Sequence, residues 1–336
     1  MKISINDMAY CLGPNKVTND DLARMNPEWD MAKIETKTGI LIRHYADPKQ
    51  TSLDLGIQAC EMLVGKNPRL LEKIDGILFC TTSADYLYPK NSYLLHGRMP
   101  FSKEVFCLDI GLACSGFVYS MAVAQGLIAT GVARDILIIT AETLSKFIHD
   151  KDRSSKSLFS DGACATWVSG AGNSCRMVDT AFGAIGKAFE AAYVPGGRCR
   201  IPVSDKTKIE MADESGNIRT LEEMVLDGRK LLNIVGSNVP RSIKALLKQN
   251  RLSLNDIDMF VFHQGSKLVV DAMQRLLRIP TEKTFRNYGH IGNTSSAALP
   301  IALKDAMDQK IIKKGDRVLI SAFGAGFSWG SAIMKI

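Results

Sequence analysis

Long apolar runs are missing from this 336-residue sequence. Runs such as residues 136–141 and 318–323 fall well short of the roughly 20 residues that a membrane-spanning helix needs. Residues 1–11 mix Lys2, Asn6 and Asp7 into their apolar residues, unlike the continuous apolar core of a secretory signal. The sequence therefore predicts a cytoplasmic protein that neither crosses nor binds a membrane.

Cysteine pairs with the spacing of a metal or redox site are also missing. None of the eight cysteines forms a Cys-x-x-Cys pair, and most lie inside apolar runs, as reduced core thiols do. The sequence therefore predicts neither a disulfide framework nor a bound metal.

The excess of charge of one sign is modest. Forty-two Lys and Arg residues against 35 Asp and Glu residues give a net charge of +7, which favours an acidic partner through long-range attraction. Basic stripes with interleaved aromatic residues are absent, so nucleic acid is not an expected partner.

What remains is the composition of a globular protein, with 46% hydrophobic and 23% charged residues and enough chain for one large or two medium domains. An internal repeat favours two. Residues 74–83 resemble residues 257–266, and residues 135–141 resemble residues 317–322 at nearly the same separation. Chance similarity between two βα units is the alternative. We predict two similar halves, residues 1–172 and 173–336.

Regular apolar spacing predicts the helices. Apolar residues recur at three- and four-residue spacing over residues 52–64, 115–130, 221–248, 267–277 and 295–309. Because such helices alternate with apolar strands, we expect an α/β fold with a mostly parallel, helix-covered sheet in each half. The polar and irregular segment 183–223 is expected to cap or edge a site.

Cys114 is a candidate nucleophile because it follows an apolar strand and precedes a helix that begins near Ser115. Free N–H groups and the positive end of a helix dipole stabilise a thiolate, and the small neighbours Ala113 and Gly116 leave room for a substrate. A buried structural cysteine is the alternative interpretation.

Two polar residues of the second half are further candidates. His263 directly follows a predicted strand, where ligand sites gather in α/β sheets, although a lone histidine there is more often structural. Asn293 lies in a glycine-containing loop before a small-residue helix, where it equally fits a helix N-cap.

Two small-residue turns complete the candidate elements. Residues 323–330 form a glycine-rich turn that can bring backbone N–H groups close to a developing oxyanion, and they lack the Lys-Ser or Lys-Thr of a phosphate-binding P-loop. Residues 160–165 form a similar turn, which we interpret as close packing between the halves.

These motifs, in this order, resemble the thiolase-fold condensing enzymes, and within them the β-ketoacyl-acyl-carrier-protein synthase III family. The resemblance covers nearly the whole chain and is carried by Lys37-Thr38-Gly39-Ile40, Arg43-His44, the Cys114 segment, Phe159-Ser160-Asp161-Gly162-Ala163, His263-Gln264, Gly292-Asn293-Thr294-Ser295 and Gly324-Ala325-Gly326-Phe327-Ser328-Trp329-Gly330. It implies a duplicated α-β-α-β-α five-layer fold, a homodimer and a catalytic set of Cys114, His263 and Asn293.

The resemblance also implies a mechanism. Cys114 takes an acyl group from a coenzyme A thioester, with the backbone N–H groups of Cys114 and Ala325 as the oxyanion hole. His263 and Asn293 then stabilise the enolate of a decarboxylating malonyl group on acyl-carrier protein. No cofactor is expected to be permanently bound, since coenzyme A enters as part of the substrate.

Substrate contacts follow from the same resemblance. Trp29, Lys37 and Arg153 are similar to coenzyme A contacts, although Trp29 lies further from the Thr-Gly-Ile segment than is usual. Lys267, Arg275 and Arg278 are candidate docking residues for the acidic carrier protein, although the family's basic position five residues after the histidine is Leu268 here.

Other functions stay open at this point. The long segment 183–223 suggests a specialised acyl or aroyl substrate, or transfer onto an oxygen or nitrogen nucleophile. A thiolase needs a second cysteine in the last glycine turn, which contains none. A hydroxymethylglutaryl-CoA synthase uses a glutamate base, and Glu142 ends a strand in the right half, but its surroundings differ from that family's motif. The Cys-Gly-Ser-Cys-Trp context of papain-like proteases is missing. A non-catalytic partner subunit is disfavoured by the intact catalytic set.

Overall fold

The computed structural model describes residues 2–172 and 175–336. The strands of this part of the chain are β1 (Ser4–Leu12), β2 (Asn15–Thr18), β3 (Ile42–Tyr45), β4 (Gly76–Cys80), β5 (Phe106–Ile110), β6 (Asp135–Glu142), β7 (Gly162–Ser169), β8 (Arg176–Ala184), β9 (Ala192–Tyr193), β10 (Met211–Ala212), β11 (Ile218–Arg219), β12 (Val225–Leu226), β13 (Met259–Phe262), β14 (Arg317–Gly324) and β15 (Ser328–Lys335). The α-helices are α1 (Asn19–Met25), α2 (Met31–Thr38), α3 (Ser52–Lys66), α4 (Leu70–Lys73), α5 (Asn91–Arg98), α6 (Gly116–Ala129), α7 (Arg153–Lys156), α8 (Gly228–Gln249), α9 (Lys267–Leu277), α10 (Tyr288–Ile291) and α11 (Ala298–Asp308).

The nine long strands form one sheet in the order β5-β4-β6-β7-β1-β8-β15-β14-β13. Both repeated sequence pairs occupy matching positions in it, because β4 runs parallel to β6 in one half and β13 runs parallel to β14 in the other. Thr284 bridges Phe260 of β13 in parallel, where β5 pairs with β4 in the first half. The predicted duplication is therefore confirmed. Its boundary stays a prediction, since residue 173 lies outside the described residues.

The expectation of a mostly parallel sheet was wrong. β7 pairs antiparallel with both β1 and β6, and β15 pairs antiparallel with both β8 and β14. Only three residues, 325–327, separate β14 from β15, and a connection this short forces an antiparallel hairpin. Parallel pairing is confined to β4 with β5 and β6, and to β13 with β14 within the described chain.

The helices and sheet halves stack in five layers. α6 and α11 are buried on most sides and share one apolar cluster with residues of both halves. α3 packs on β1, β6 and β7, whereas α8 and α9 belong to a second cluster with β13, β14 and β15. This arrangement confirms the predicted α-β-α-β-α fold. No helix among the described residues is long and apolar enough to cross a membrane.

Helix boundaries mostly follow the sequence pattern. α3 begins where expected because the Thr51 hydroxyl accepts from the Asp54 N–H and the Asp54 carboxylate accepts from Thr51, a capping box. α9 spans the predicted residues 267–277. α8 begins at Gly228 and not at residue 221, because β12 pairs with β9 in a small separate sheet. Residues 295–297 form a 3₁₀ turn that precedes α11.

Candidate active site

A cavity of about 1770 Å³ lies between the two halves. It brings together most of the predicted site residues, which are Cys114, His263, Asn293, Ala325, Lys37 and Arg153. The catalytic set is buried, whereas Lys37 is exposed and Arg153 is half-buried. The cavity therefore has a closed floor at the thiol and an open mouth at the basic residues.

Cys114 lies two residues before the first residue of α6 and is 9% exposed. Its Sγ atom is 3.7 Å from the Ser295 hydroxyl. A Cβ atom added to Gly324 would lie 2.8 Å from that Sγ, so only glycine fits beside the thiol. The glycine-rich turn thus contacts Cys114, as an oxyanion hole shared with Ala325 requires.

Desolvation dominates the chemistry of this thiol. Burial raises the pKa of Cys114 to about 12, and the charge of Glu142 acts in the same direction. The Ser295 hydroxyl lowers the pKa but does not compensate. The resting group is a protonated thiol, which differs from the thiolate expected from the helix start alone.

His263 follows β13 at the cavity floor and is buried. Its ring packs edge-on against Phe323, and its Nδ1 atom has no hydrogen-bond partner in the described chain. Burial lowers the pKa of His263 to about 4, so the imidazole is neutral at neutral pH. Gly265 keeps the other side of the ring open, since an added Cβ would lie 3.2 Å from Nε2.

The loop before α11 holds Asn293 by its backbone and its side-chain oxygen. The Asn293 N–H donates to the Leu158 carbonyl, and its carbonyl accepts from the Ser160 N–H, both at 2.9 Å. Asn293 Oδ1 accepts from the Ser295 N–H at 2.9 Å, which leaves the side-chain NH₂ as the group available to a ligand. The N-cap interpretation of Asn293 is wrong, because Thr294 is the N-cap of the 3₁₀ turn and Ala297 that of α11, and Asn293 is a cavity residue held by the loop.

Residues 160–165 pack the halves together, as predicted, but they are not a turn, because β7 begins at Gly162. A Cβ added to Gly292 would lie 2.3 Å from the Ser160 hydroxyl oxygen. A Cβ added to Gly162 would lie 3.2 Å from the Thr294 side chain. These close approaches bring the Asn293 loop of the second half onto the first.

The structure brings two of the three predicted coenzyme A contacts to the cavity. Lys37 in the last turn of α2 and Arg153 at the start of α7 line it. Trp29 is buried and is not a lining residue, although its neighbours Glu28 and Asp30 are. The residues between Trp29 and the Thr-Gly-Ile segment form α2.

The predicted carrier-protein contacts lie outside the cavity lining, Lys267 and Arg275 on α9 and Arg278 directly after it. Lys267 forms an ion pair with Asp271 at 2.8 Å. Arg275 and Arg278 are exposed, and neither forms an ion pair with a described residue. Leu268 does line the cavity and is 46% exposed.

Two groups of cavity residues were not expected from sequence. Leu144, Phe159 and Met224 form an apolar cluster beside the catalytic set, and Met224 comes from the irregular region after residue 223. Ser295 contacts the thiol but resembled an ordinary helix-start serine in the sequence. The turn of segment 183–223 reaches the mouth through Ser215, which agrees with the expected position of that segment at the edge of a site.

Glu142 is a buried carboxyl group with the chemistry of a possible catalytic base. It accepts hydrogen bonds from the hydroxyls of Thr82 at 2.9 Å and Ser83 at 3.0 Å. Burial raises the pKa of Glu142 to about 7. Its hydroxyl partners hold the carboxyl group at the end of β6, and the residue is not part of the cavity lining.

Comparisons with known proteins agree with this geometry. Family models described as 3-oxoacyl-[acyl-carrier-protein] synthase III and its C-terminal part match residues 108–186 and 247–336. The β-ketoacyl-[acyl-carrier-protein] synthase III of Caldanaerobacter subterraneus is 33% identical, over 96% of this chain and 94% of the relative. The enzyme of the same name from Fusobacterium nucleatum is 31% identical, over 99% of this chain and 98% of the relative.

Solved structures give the same result. A 2.1 Å crystal structure of a 3-oxoacyl-(acyl-carrier-protein) synthase III superposes with a TM-score of 0.97 at 34% identity and covers both chains completely. The synthase III of Aquifex aeolicus superposes with a TM-score of 0.84 at 29% identity, over 99% of this chain and all of the other.

The fold and the relatives define an acyltransferase of the thiolase-fold condensing class. Within that class, the chain belongs to the β-ketoacyl-acyl-carrier-protein synthase III family.

The raised pKa of Cys114 predicts how its alkylation depends on pH. Between pH 7 and 9 the rate of reaction with iodoacetamide should rise about tenfold per pH unit without levelling off, because the thiolate fraction is still small below a pKa of about 12. Peptide mass spectrometry at each pH measures the rate at Cys114. Ser295→Ala removes the hydroxyl that lowers the pKa and should slow the reaction. A plateau near pH 7 would show that the resting group is a thiolate.

Proposed function

We propose that this enzyme acylates Cys114 from an acyl-coenzyme A and condenses that acyl group with malonyl-acyl-carrier protein to give a β-ketoacyl thioester. The observation that carries the proposal is the meeting of a thiol, a neutral imidazole and a carboxamide from distant parts of the chain at one buried cavity floor. An acyl-enzyme route uses one thiol twice, as acceptor of the first acyl group and as leaving group in the condensation.

In the first step, the Cys114 sulfur attacks the donor's thioester carbonyl. The bond from that carbonyl to the coenzyme A sulfur breaks, and the Cys114 proton leaves with free coenzyme A. Backbone N–H groups of Cys114 and Ala325 stabilise the oxyanion, an effect worth about 3 kcal/mol per donor in related chemistry. The close packing of Gly324 against Sγ supports this role, because it holds the turn directly beside the reacting atom.

In the second step, the malonyl group loses carbon dioxide and leaves an enolate of its thioester. His263, as the neutral Nε2–H tautomer, and the Asn293 NH₂ group donate hydrogen bonds to the enolate oxygen. The carbanion attacks the acyl carbonyl, and Cys114 is released as a thiol after taking up a proton. The lowered pKa of His263 supports this role, since a neutral donor beside a thioester carbonyl needs no counterion in a dry site.

The donor and the carrier protein are proposed to reach the floor from the mouth. Lys37 and Arg153 line that mouth and offer cations to coenzyme A phosphates. Trp29 is buried and does not line the mouth. For the carrier protein, the available cations are Arg275 of α9 and Arg278 directly after it, since neither forms an ion pair with a described residue. The charge of Lys267 is partly neutralised by Asp271. The +7 net charge supports an acidic partner.

Mutation of Cys114 tests the first step. Incubation with a panel of acyl-coenzyme A thioesters and intact-mass measurement should show one acyl adduct on the wild-type enzyme and none on Cys114→Ala, because the alanine has no sulfur to acylate. Cys80→Ala, which changes a buried cysteine that does not line the cavity, is the matched control and should keep the adduct. An adduct that persists on Cys114→Ala rejects the assignment of the nucleophile.

Replacement of His263 or Asn293 tests the second step. Each alanine variant should still form the acyl-enzyme but lose about 10²–10³-fold in malonyl decarboxylation, since each removes one donor to the enolate oxygen. Release of ¹⁴C-labelled carbon dioxide from malonyl-acyl-carrier protein measures the decarboxylation. Loss of acylation with intact decarboxylation is the result that contradicts this role.

We also infer a homodimer that pairs the free edge of β5. This strand ends the nine-stranded sheet, and its Leu108 is 38% exposed. The neighbouring loop displays Tyr86, Leu87 and Tyr88, the last 81% exposed. An exposed strand edge with an apolar surround is a site for pairing with a second chain.

A charge on that edge should separate the subunits. Leu108→Lys is expected to convert a dimer into a monomer in size-exclusion chromatography with light scattering, because it places a charge in the inferred interface. Val132→Lys, at an apolar position after α6 that is 53% exposed, should leave the dimer intact. A monomeric wild-type protein contradicts the inference.

A further inference from the structure

The outer part of segment 183–223 is a β-hairpin at the cavity mouth. β10 and β11 pair through Met211 with Arg219 and through Ala212 with Ile218. Gly216 supplies the positive φ of 76° that the turn requires. The exposed turn residues between the strands line the cavity, so a molecule entering from solvent passes this hairpin.

Arg219 of β11 forms two ion pairs, one that fastens the hairpin to Asp152 in the body of the protein and one within the hairpin, to Asp213. Its Nε atom donates to Asp152 at 2.7 Å, and its Nη2 atom donates to Asp213 at 2.8 Å. Asp152 is fully buried, so its carboxylate depends on this partner. Removing one member of a buried pair leaves an uncompensated charge, which is strongly unfavourable.

The same carboxylate holds α7 in place. Asp152 is the N-cap of this helix, and its Oδ1 atom accepts from the Ser155 N–H at 3.2 Å. Asn217 of the hairpin turn accepts from the N–H and the hydroxyl of Ser154, both at 3.2 Å. Hairpin and α7 are therefore joined on both sides of the residue that begins the helix.

That residue is Arg153, whose guanidinium faces the mouth. Its Nη2 atom donates to the carbonyl of Ser215 in the hairpin turn at 3.0 Å. A guanidinium has five N–H donors in a fixed plane, so this one bond orients the group and leaves donors for a ligand. The side chain lies at the open end of the cavity, away from the thiol.

We propose that Arg219 is a positioning residue, which acts through the hairpin and α7 to hold the Arg153 guanidinium toward the donor's phosphates. The inference rests on the proposed coenzyme A donor. A planar guanidinium held in one orientation binds phosphate oxygens with two parallel hydrogen bonds, whereas a free one must first be ordered. Arg219 also lines the cavity, but Asp152 and Asp213 occupy its Nε and Nη2 atoms, so we assign its effect on the donor to its hold on Arg153.

The test compares a complete donor with one that lacks the nucleotide. Acylation of Cys114 is followed by intact mass at varied concentrations of butyryl-coenzyme A and of butyryl-N-acetylcysteamine thioester. Arg219→Met should lower the rate constant per molar donor about tenfold for the coenzyme A thioester, by weakening binding, and leave the truncated thioester within about twofold. Arg219→Lys keeps a cation beside Asp152, so its rate constant for the coenzyme A thioester should lie between those of the wild type and Arg219→Met. This variant serves as the test if Arg219→Met does not fold.

A double-mutant cycle separates positioning from a structural effect. Arg153→Met should show the same selective loss, and the variant with both changes should lose no more than Arg153→Met alone, because Arg219 acts through Arg153. Arg24→Met, which breaks an exposed ion pair with Asp21 on α1, is the matched control and should change neither donor's rate.

The outcomes distinguish this inference from the proposed function. Equal losses with both thioesters, or additive losses in the double variant, make the hairpin merely structural and overturn the inference. A wild-type enzyme that takes only the truncated thioester also overturns it, while Cys114 acylation itself stands. If neither thioester acylates the wild-type enzyme, the proposed donor fails and the inference fails with it.

Discussion

The close approach of two backbone turns at the cavity floor is the constraint on which the site depends. Gly324 leaves no room for a side chain beside Cys114, and Gly292 leaves none beside Ser160. The first contact places the end of β14 against the nucleophile. The second lets the Asn293 loop reach across to the first half. Without these glycines the halves would separate by about the width of a methyl group, and the three reactive side chains would no longer share one floor.

The burial that results decides the protonation states. Desolvation disfavours charge, so it raises the pKa of the Cys114 thiol and lowers that of the His263 imidazole. The resting pair is neutral, and no ion pair forms that a substrate would have to break. Charge therefore develops only when a thioester enters, beside N–H groups already fixed by the fold. Such preorganised donors need little rearrangement during the reaction.

Much of this arrangement followed from the sequence because it is carried by local motifs. The duplicated strand pairs, the helix over residues 267–277 and the cavity position of His263 are each encoded within a few neighbouring residues. The features that sequence reasoning missed depend on packing between segments that are distant in the sequence. The antiparallel pairings of β15 with β8 and of β1 with β7 join strands that are distant in sequence, and the burial of Trp29 appears only in the folded chain. The thiolate expected for Cys114 failed for the same reason, since the cost of desolvation is visible only once the surrounding residues are in place.

The floor and the mouth of the cavity are built from different kinds of structure. The floor is built at strand ends and glycine turns, where any change of size moves the reacting atoms, so little variation in residue size can be accommodated there. The mouth is built from short strands, 3₁₀ turns and a hairpin held by Arg219, whose length is not limited by the sheet. Loops of this kind accept insertions at small entropic cost. Segment 183–223 can therefore differ in length and charge from one relative to the next while the thiol, imidazole and carboxamide keep their positions. The proposed function therefore assigns donor selectivity to the mouth and the chemical steps to the floor.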